Sequence, residues 1–170
     1  MRRLFLRLVI GSAFCALVQA APNLLTNGDF SGEKIAPWRL FSINDKPKPE
    51  HLIKEGVLKI STPKTGAPAD RQLVQSIKLE TGKRYRVKFT AKGRLLGKKT
   101  IRLVAVRSVN PSKPHYGLYR KIELTTEWQE LSYEFTAREI DPDDPPMLKL
   151  LIGEVFGHVS LKAFEMTEIK

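Results

Sequence analysis

The chain holds a single cysteine, Cys15, among 170 residues, so no internal disulfide can brace its fold. It lacks any sustained 3.6-residue apolar period bounded by helix caps, which confines helices to short connectors. The apolar run Leu8 to Val18 is eleven residues long and falls short of the roughly 20 that a membrane-spanning helix needs. Histidine is scarce: His51, His115 and His158 stand apart, with no HExxH pattern, no close His/carboxylate cluster and no G-x-S-x-G nucleophile elbow. A glycoside hydrolase requires two carboxylates a few ångströms apart, and nothing in the sequence singles out a pair such as Glu123 and Glu134. These absences point to a protein that binds and is not an enzyme. Acidic residues are also few, 18 against 29 lysines and arginines, which leaves a formal charge of +11.

What is present begins with a leader. Arg2, Arg3 and Arg7 flank the start of the apolar run, and Val18-Gln19-Ala20 supplies the small residues that a signal peptidase reads. We expect a secretory signal over residues 1–20, cleaved after Ala20, and a single secreted or periplasmic domain over residues 21–170. Phe14, just before Cys15, is too bulky for a lipid-attachment site, so lipidation is not expected, and no stable membrane insertion follows signal removal. The remaining 150 residues can bury roughly 70% of the surface their unfolded chain exposes, enough for one core. The leader takes three arginines and no acid with it, so the formal charge falls from +11 to +8. Outside the cell such a charge meets acidic polysaccharide, sulfated glycan or an anionic envelope rather than nucleic acid. Surplus lysines kept only for solubility are the competing explanation.

From Asn23 onward, apolar residues recur at period two in short stretches divided by Gly, Pro and Asn/Asp clusters, the pattern of many strands. In Tyr85–Phe89, Tyr85, Val87 and Phe89 point one way while Arg84, Arg86 and Lys88 point the other. Leu131, Tyr133 and Phe135 alternate likewise with Ser132, Glu134 and Thr136. Further strands read as 57–61, 73–79, 100–106, 118–124, 148–152 and 159–166. Turns are expected at 80–83, 93–97 and 141–146, and a loop at 44–49. The pattern predicts an all-β fold, two antiparallel sheets packed as a β-sandwich of jelly-roll type. Trp38, Tyr85, Phe89, Trp128 and Phe135 are the expected core rings.

The opening Asn23-Leu-Leu-Thr-Asn-Gly-Asp-Phe-Ser-Gly32 with Pro37-Trp38, the stretch Leu79 to Ala91 and the stretch Leu124 to Phe135 resemble landmarks of one family. They are similar to carbohydrate-binding modules of the family 4/9/16/22 type, the CenC-like, galactose-binding-like β-sandwiches. Leu148 to Ile169 resembles that family's paired last strands, so the likeness spans the mature chain. In this frame Gly28 would serve a tight turn and Gly82 a hairpin.

The resemblance implies a polysaccharide or cell-envelope glycan as partner and a set of binding positions: Phe41 as an aromatic platform, Gln75 and Lys88 as polar contacts, and Asn110 with Tyr116 in a loop. Arg107 lies close to that loop. Met147 and Leu151 fall at cleft positions where the family often has amides, a departure from ordinary cellulose-like binding. The resemblance also implies a structural calcium near the Asn27–Asp29 turn. Here Lys162 occupies the last-strand position of an aspartate ligand, and an ammonium has no lone pair to offer. No metal or other cofactor is therefore expected, with Lys162 facing Asp29 or Glu33 in the cation's place. The basic set Arg84, Arg86, Lys88 and Arg102 suggests bidentate capture of carboxylate or sulfate, hence an acidic or sulfated polysaccharide. A solvated outer face is the plainer reading of the same residues. An envelope or matrix protein that contacts another protein on the same sandwich is the alternative function.

Overall fold

The computed structural model describes residues 21–43, 47–107 and 115–170, apart from the side chain of Arg107. Ten strands run in chain order: β1 (Arg39–Ser42), β2 (Glu50–Lys54), β3 (Val57–Thr62), β4 (Arg71–Ser76), β5 (Arg84–Leu96), β6 (Thr100–Arg107), β7 (Tyr119–Glu123), β8 (Gln129–Thr136), β9 (Pro146–Leu151) and β10 (Phe156–Ile169). A single 3-10 turn, Pro68–Asp70, precedes β4, and no α-helix occurs among the described residues. The strands form two five-stranded sheets, ordered β1-β4-β9-β6-β7 and β2-β3-β10-β5-β8. Every pairing is antiparallel. The all-β sandwich expected from the alternation is the observed architecture.

Period-two alternation supplies the facing layers. Tyr85, Val87, Phe89 and Ala91 of β5 turn inward with Val159, Leu161, Phe164 and Met166 of β10, against Leu73, Leu103, Leu148 and Leu150 of the other sheet. Phe89 and Phe164 stack with centroids 4.4 Å apart. Trp38 leans on Phe164 at 5.1 Å and on Phe30 at 6.2 Å. Truncating an aromatic ring in such a setting costs roughly 3–5 kcal/mol.

The irregular amino-terminal segment is tied to β10. Leu24 donates its backbone N–H to the Met166 carbonyl, Met166 donates to the Asn23 side-chain oxygen, and Phe164 donates to the Gly28 carbonyl at 2.7 Å. A register shift between Lys162 and Glu165 releases Phe164 from the ladder for this contact. Such a bulge inserts an extra residue and changes which side chains face inward.

Three expectations need correction. Trp128 is no core residue but stands 36% exposed. It precedes β8 by one position, and since Leu131, Tyr133 and Phe135 face inward, Trp128 falls on the outward side with Glu130. Gly93 lies inside β5 opposite Val159, and the turn comes only at Gly97. Gly28 does not carry the left-handed backbone of its turn; Asn27 (φ 52°) and Phe30 (φ 50°) do. Gly28 is needed because a Cβ there would sit 1.9 Å from the Phe164 carbonyl oxygen. Gly82, by contrast, has the positive φ, 87°, that its hairpin requires.

Candidate functional site

The outward face of the first sheet is a lattice set by register. One row across it runs Arg39, Val74, Lys149, Val104 and Tyr119; the next runs Phe41, Gln72, Leu151, Arg102 and Lys121. Ser76, Met147 and Val106 begin a third. Val74, Val104, Val106 and Met147 are buried yet belong to no part of the core between the sheets. An outward side chain can be buried only where other groups cover it.

Polar groups sit on that apolar floor. Lys149 is 7% exposed, and no described residue offers it a hydrogen bond or an ion pair. Burial pushes its ammonium below the ordinary value of 10.5; the charge of Asp144 opposes that shift and the charge of Arg39 adds to it. Gln72 donates from Nε2 to the Ala69 carbonyl at 2.8 Å, while its buried Oε1 has no partner. Arg102 pairs through Nη2 with Glu154 at 2.7 Å, and its buried Nε is also unpartnered. Lys98 holds the other oxygen of Glu154 at 3.2 Å. The arrangement offers a hydrogen-bond acceptor, a guanidinium N–H and a desolvated cation beside an aromatic edge, the chemistry that orients a polar ligand in a mostly apolar pocket.

The residues expected from sequence do not all meet here. Phe41 lies on this face, half-buried on edge strand β1, with Met147 and Leu151 on β9. Gln75 turns the other way: it is buried, and its amide accepts from the Thr26 N–H and donates to the Thr26 carbonyl, both at 2.9 Å. Gln72 occupies the outward position instead. Tyr116 is a core residue rather than a loop platform, and its hydroxyl donates to the Asp144 carbonyl. Lys88 sits on β5 in the second sheet, exposed on the opposite side of the molecule from Phe41. Arg107 ends β6 opposite Pro146, and Asn110 lies outside the described residues.

The expected basic stripe is likewise divided. Arg102 belongs to the first sheet and Arg84, Arg86 and Lys88 to the second. Arg84 and Arg86 both donate to the Glu134 carboxylate, at 2.9 Å and 3.0 Å, so that carboxylate already occupies the fork a ligand would need. The hydrogen bond from Arg86, aided by both arginine charges, holds Glu134 below its ordinary value of 4.5. Whatever stability this contributes is present above the unfolded-state value and is lost as pH falls through the depressed one. A carboxyl-carbon NMR titration is expected to give Glu134 a midpoint below 4.5; a midpoint at or above that value would show the cluster to be open in solution.

Glu123 and Glu134 lie on different sheets and form no pair. His158 shares a hydrogen bond with Ser61 at 3.0 Å, and the His115 ring lies beside Tyr119 at 4.7 Å. The Asn27 amide nitrogen already lies within 2.9–3.3 Å of the Lys34, Ile35 and Ala36 carbonyls, and no cluster of three ligating side chains occurs among the described residues. Lys162 does not face Asp29 or Glu33 as expected; its ammonium lies 4.7 Å from the centre of the Trp128 ring.

A family model described as a carbohydrate-binding domain, CBM_4_9, matches residues 22–146. Among solved structures, one described as "CBM4 structure and function" is similar at a TM-score of 0.70 and 19% identity, covering 85% of this chain and 99% of that one. The second N-terminal cellulose-binding domain of Cellulomonas fimi β-1,4-glucanase C matches at a TM-score of 0.68 and 19% identity, covering 90% and 98%. The first such domain of that enzyme matches at 0.57 and 18% identity, covering 78% and 90%. No curated protein matches the sequence. With the family model spanning most of the sandwich, the chain belongs to the CBM_4_9 family of non-catalytic carbohydrate-binding domains.

Proposed function

We propose that this protein binds an acidic polysaccharide outside the cell, laying the chain across the outward face of the first sheet without cleaving it. The observation that carries the reading is Lys149, a desolvated ammonium with Arg39 beside it and no carboxylate bonded to it among the described residues. The charge of Asp144 offsets part of this positive field, and a ligand carboxylate or sulfate would supply the bonded counter-charge. Phe41 supplies a flat apolar face for the C–H side of a sugar ring, and the unpartnered Gln72 oxygen accepts from a hydroxyl. Binding without hydrolysis is supported by Glu154, the carboxylate next to these rows, being held by both Lys98 and Arg102. Export rests on the leader at residues 1–20, which lies outside the described residues.

Affinity electrophoresis through gels containing polygalacturonate, dextran sulfate or a neutral β-glucan tests this reading. Retardation by an acidic polymer is expected, with Phe41→Ala weakening it about tenfold, the loss of one aromatic contact. Equal retardation by the neutral glucan would remove the role of Lys149 and Arg39. Retardation unchanged by Phe41→Ala would move the site elsewhere.

A further inference from the structure

The four large apolar side chains that stand exposed among the described residues are Leu52 (60%), Leu96 (65%), Trp128 (36%) and Phe156 (40%). All four lie on the outward face of the second sheet, the side away from the cleft. The register makes this explicit: Leu52 pairs with Lys59, Lys59 with Ser160 and Ser160 with Lys92, while Phe156 pairs with Leu96. Every one of these positions is outward, because Leu58, Ile60, Val159, Leu161 and Ala91 between them fill the core.

Two depressions cross this face. One, of about 600 Å³, is bounded by Trp128, Leu52, Lys59 and Lys92. The other, of about 530 Å³, is bounded by Phe156, Leu96 and Lys48. They meet at Arg94 and His158, which line both. Lys92 and Lys162 stand 4.6 Å and 4.7 Å from the centre of the Trp128 ring. Such contacts hold an exposed ammonium only weakly, so they leave the charges available.

The charge on this strip is one-sided. Glu55 is engaged by Lys54 at 3.8 Å, and Glu50 lines the far side of the second depression. Glu130 and Glu165 sit at the other border, beside Lys88. Among the described residues, Lys59, Lys92, Arg94 and Lys162 have no carboxylate within 4.0 Å. Apolar groups at both ends with unpaired cations between them match a chain whose sugar faces and anionic groups alternate. A protein partner fits less well, since interface centres are depleted in lysine, whereas here lysines occupy the middle.

We propose that the outward face of the second sheet is a second glycan-binding groove, running from Trp128 past Arg94 to Phe156 and taking a linear polysaccharide that carries carboxylate or sulfate groups. This inference does not depend on the cleft of the first sheet. A chain able to hold polymer on both faces bridges two strands of it, and the apparent affinity for polymer then exceeds that of either face.

The chain has two tryptophans, and Trp38 is buried, so ligand-induced emission changes report on Trp128. Titrating polygalacturonate, dextran sulfate or neutral dextran into the Phe41→Ala/Lys149→Met double variant removes the cleft from the measurement. The expected result is a Trp128 emission change with one or both acidic polymers and none with dextran. Affinity is expected to fall roughly tenfold in Lys92→Gln/Lys162→Gln and further as salt screens the charges. Which acidic polymer responds assigns the anionic group. An emission change lost with the cleft variants, an equal response to dextran, or no response to either acidic polymer would overturn the groove. Concentration-dependent self-association abolished by Trp128→Ala, without polymer binding, would assign the face to a protein contact instead.

Discussion

Gly28→Ala is expected to destabilise the fold by about 3 kcal/mol or more, lowering the melting temperature by roughly 10 °C for a domain of this size. The added Cβ would fall 1.9 Å from the carbonyl oxygen of Phe164 and 2.9 Å from its carbonyl carbon. Both are backbone atoms, so no rotamer change can clear the contact. The Phe164 ring stacks on Phe89 and supports Trp38, so a displaced Phe164 backbone carries the strain into the centre of the core. Gly32→Ala is the matching control, because its Cβ would meet nothing within 4 Å. Thermal unfolding followed by circular dichroism should separate the two variants clearly. Coincident melting curves would mean that the amino-terminal segment docks differently in solution.

Lys149→Met is expected to act in opposite directions on stability and binding. Burial opposes the charge of Lys149, and no described group bonds to it, so a methionine of similar length should stabilise the fold by about 1 kcal/mol or more. The same change removes the central cation of the cleft and should weaken binding of an acidic polysaccharide by at least about tenfold. The pH dependence follows from the direction of the shift. The folded pKa lies below the unfolded value of 10.5, so the unfolded state holds the proton more firmly. The penalty is therefore full below the folded pKa and disappears as pH rises to the unfolded value. The stability gap between wild type and variant should close over that window in urea titrations. A gap that stayed constant, or a variant less stable than wild type at neutral pH, would mean that Lys149 has found a partner.

Strands whose two faces differ in polarity were legible in the sequence. Arg84 to Phe89 and Leu131 to Phe135 alternate because one side meets the core and the other meets water. β1 and β2 carry no such signal, since they are edge strands of four and five residues with little buried side. The hairpin joining β2 to β3 turns through Glu55 and Gly56, both with positive φ; two-residue turns of this kind match strand twist. For the candidate site the obstacle was a one-residue slip. Leu73 faces inward, which places Gln72 and Val74 outward and Gln75 inward. Size alone would bury Trp128, whereas its place in the alternation puts it outside. The informative signal was Lys149 itself, a lysine inside the apolar run Pro146–Leu151. A strand that is apolar on both sides is covered on both, and Lys149 is the one charge within it.

The docking of Asn23 and Leu24 against Met166 brings the first and last parts of the sandwich to one pole. A neighbouring domain or tag joined at either side would therefore emerge from the same end of the molecule. A tensile load applied through both attachments would be borne first by those few hydrogen bonds. Beyond them it would peel β10 away from the middle of its sheet.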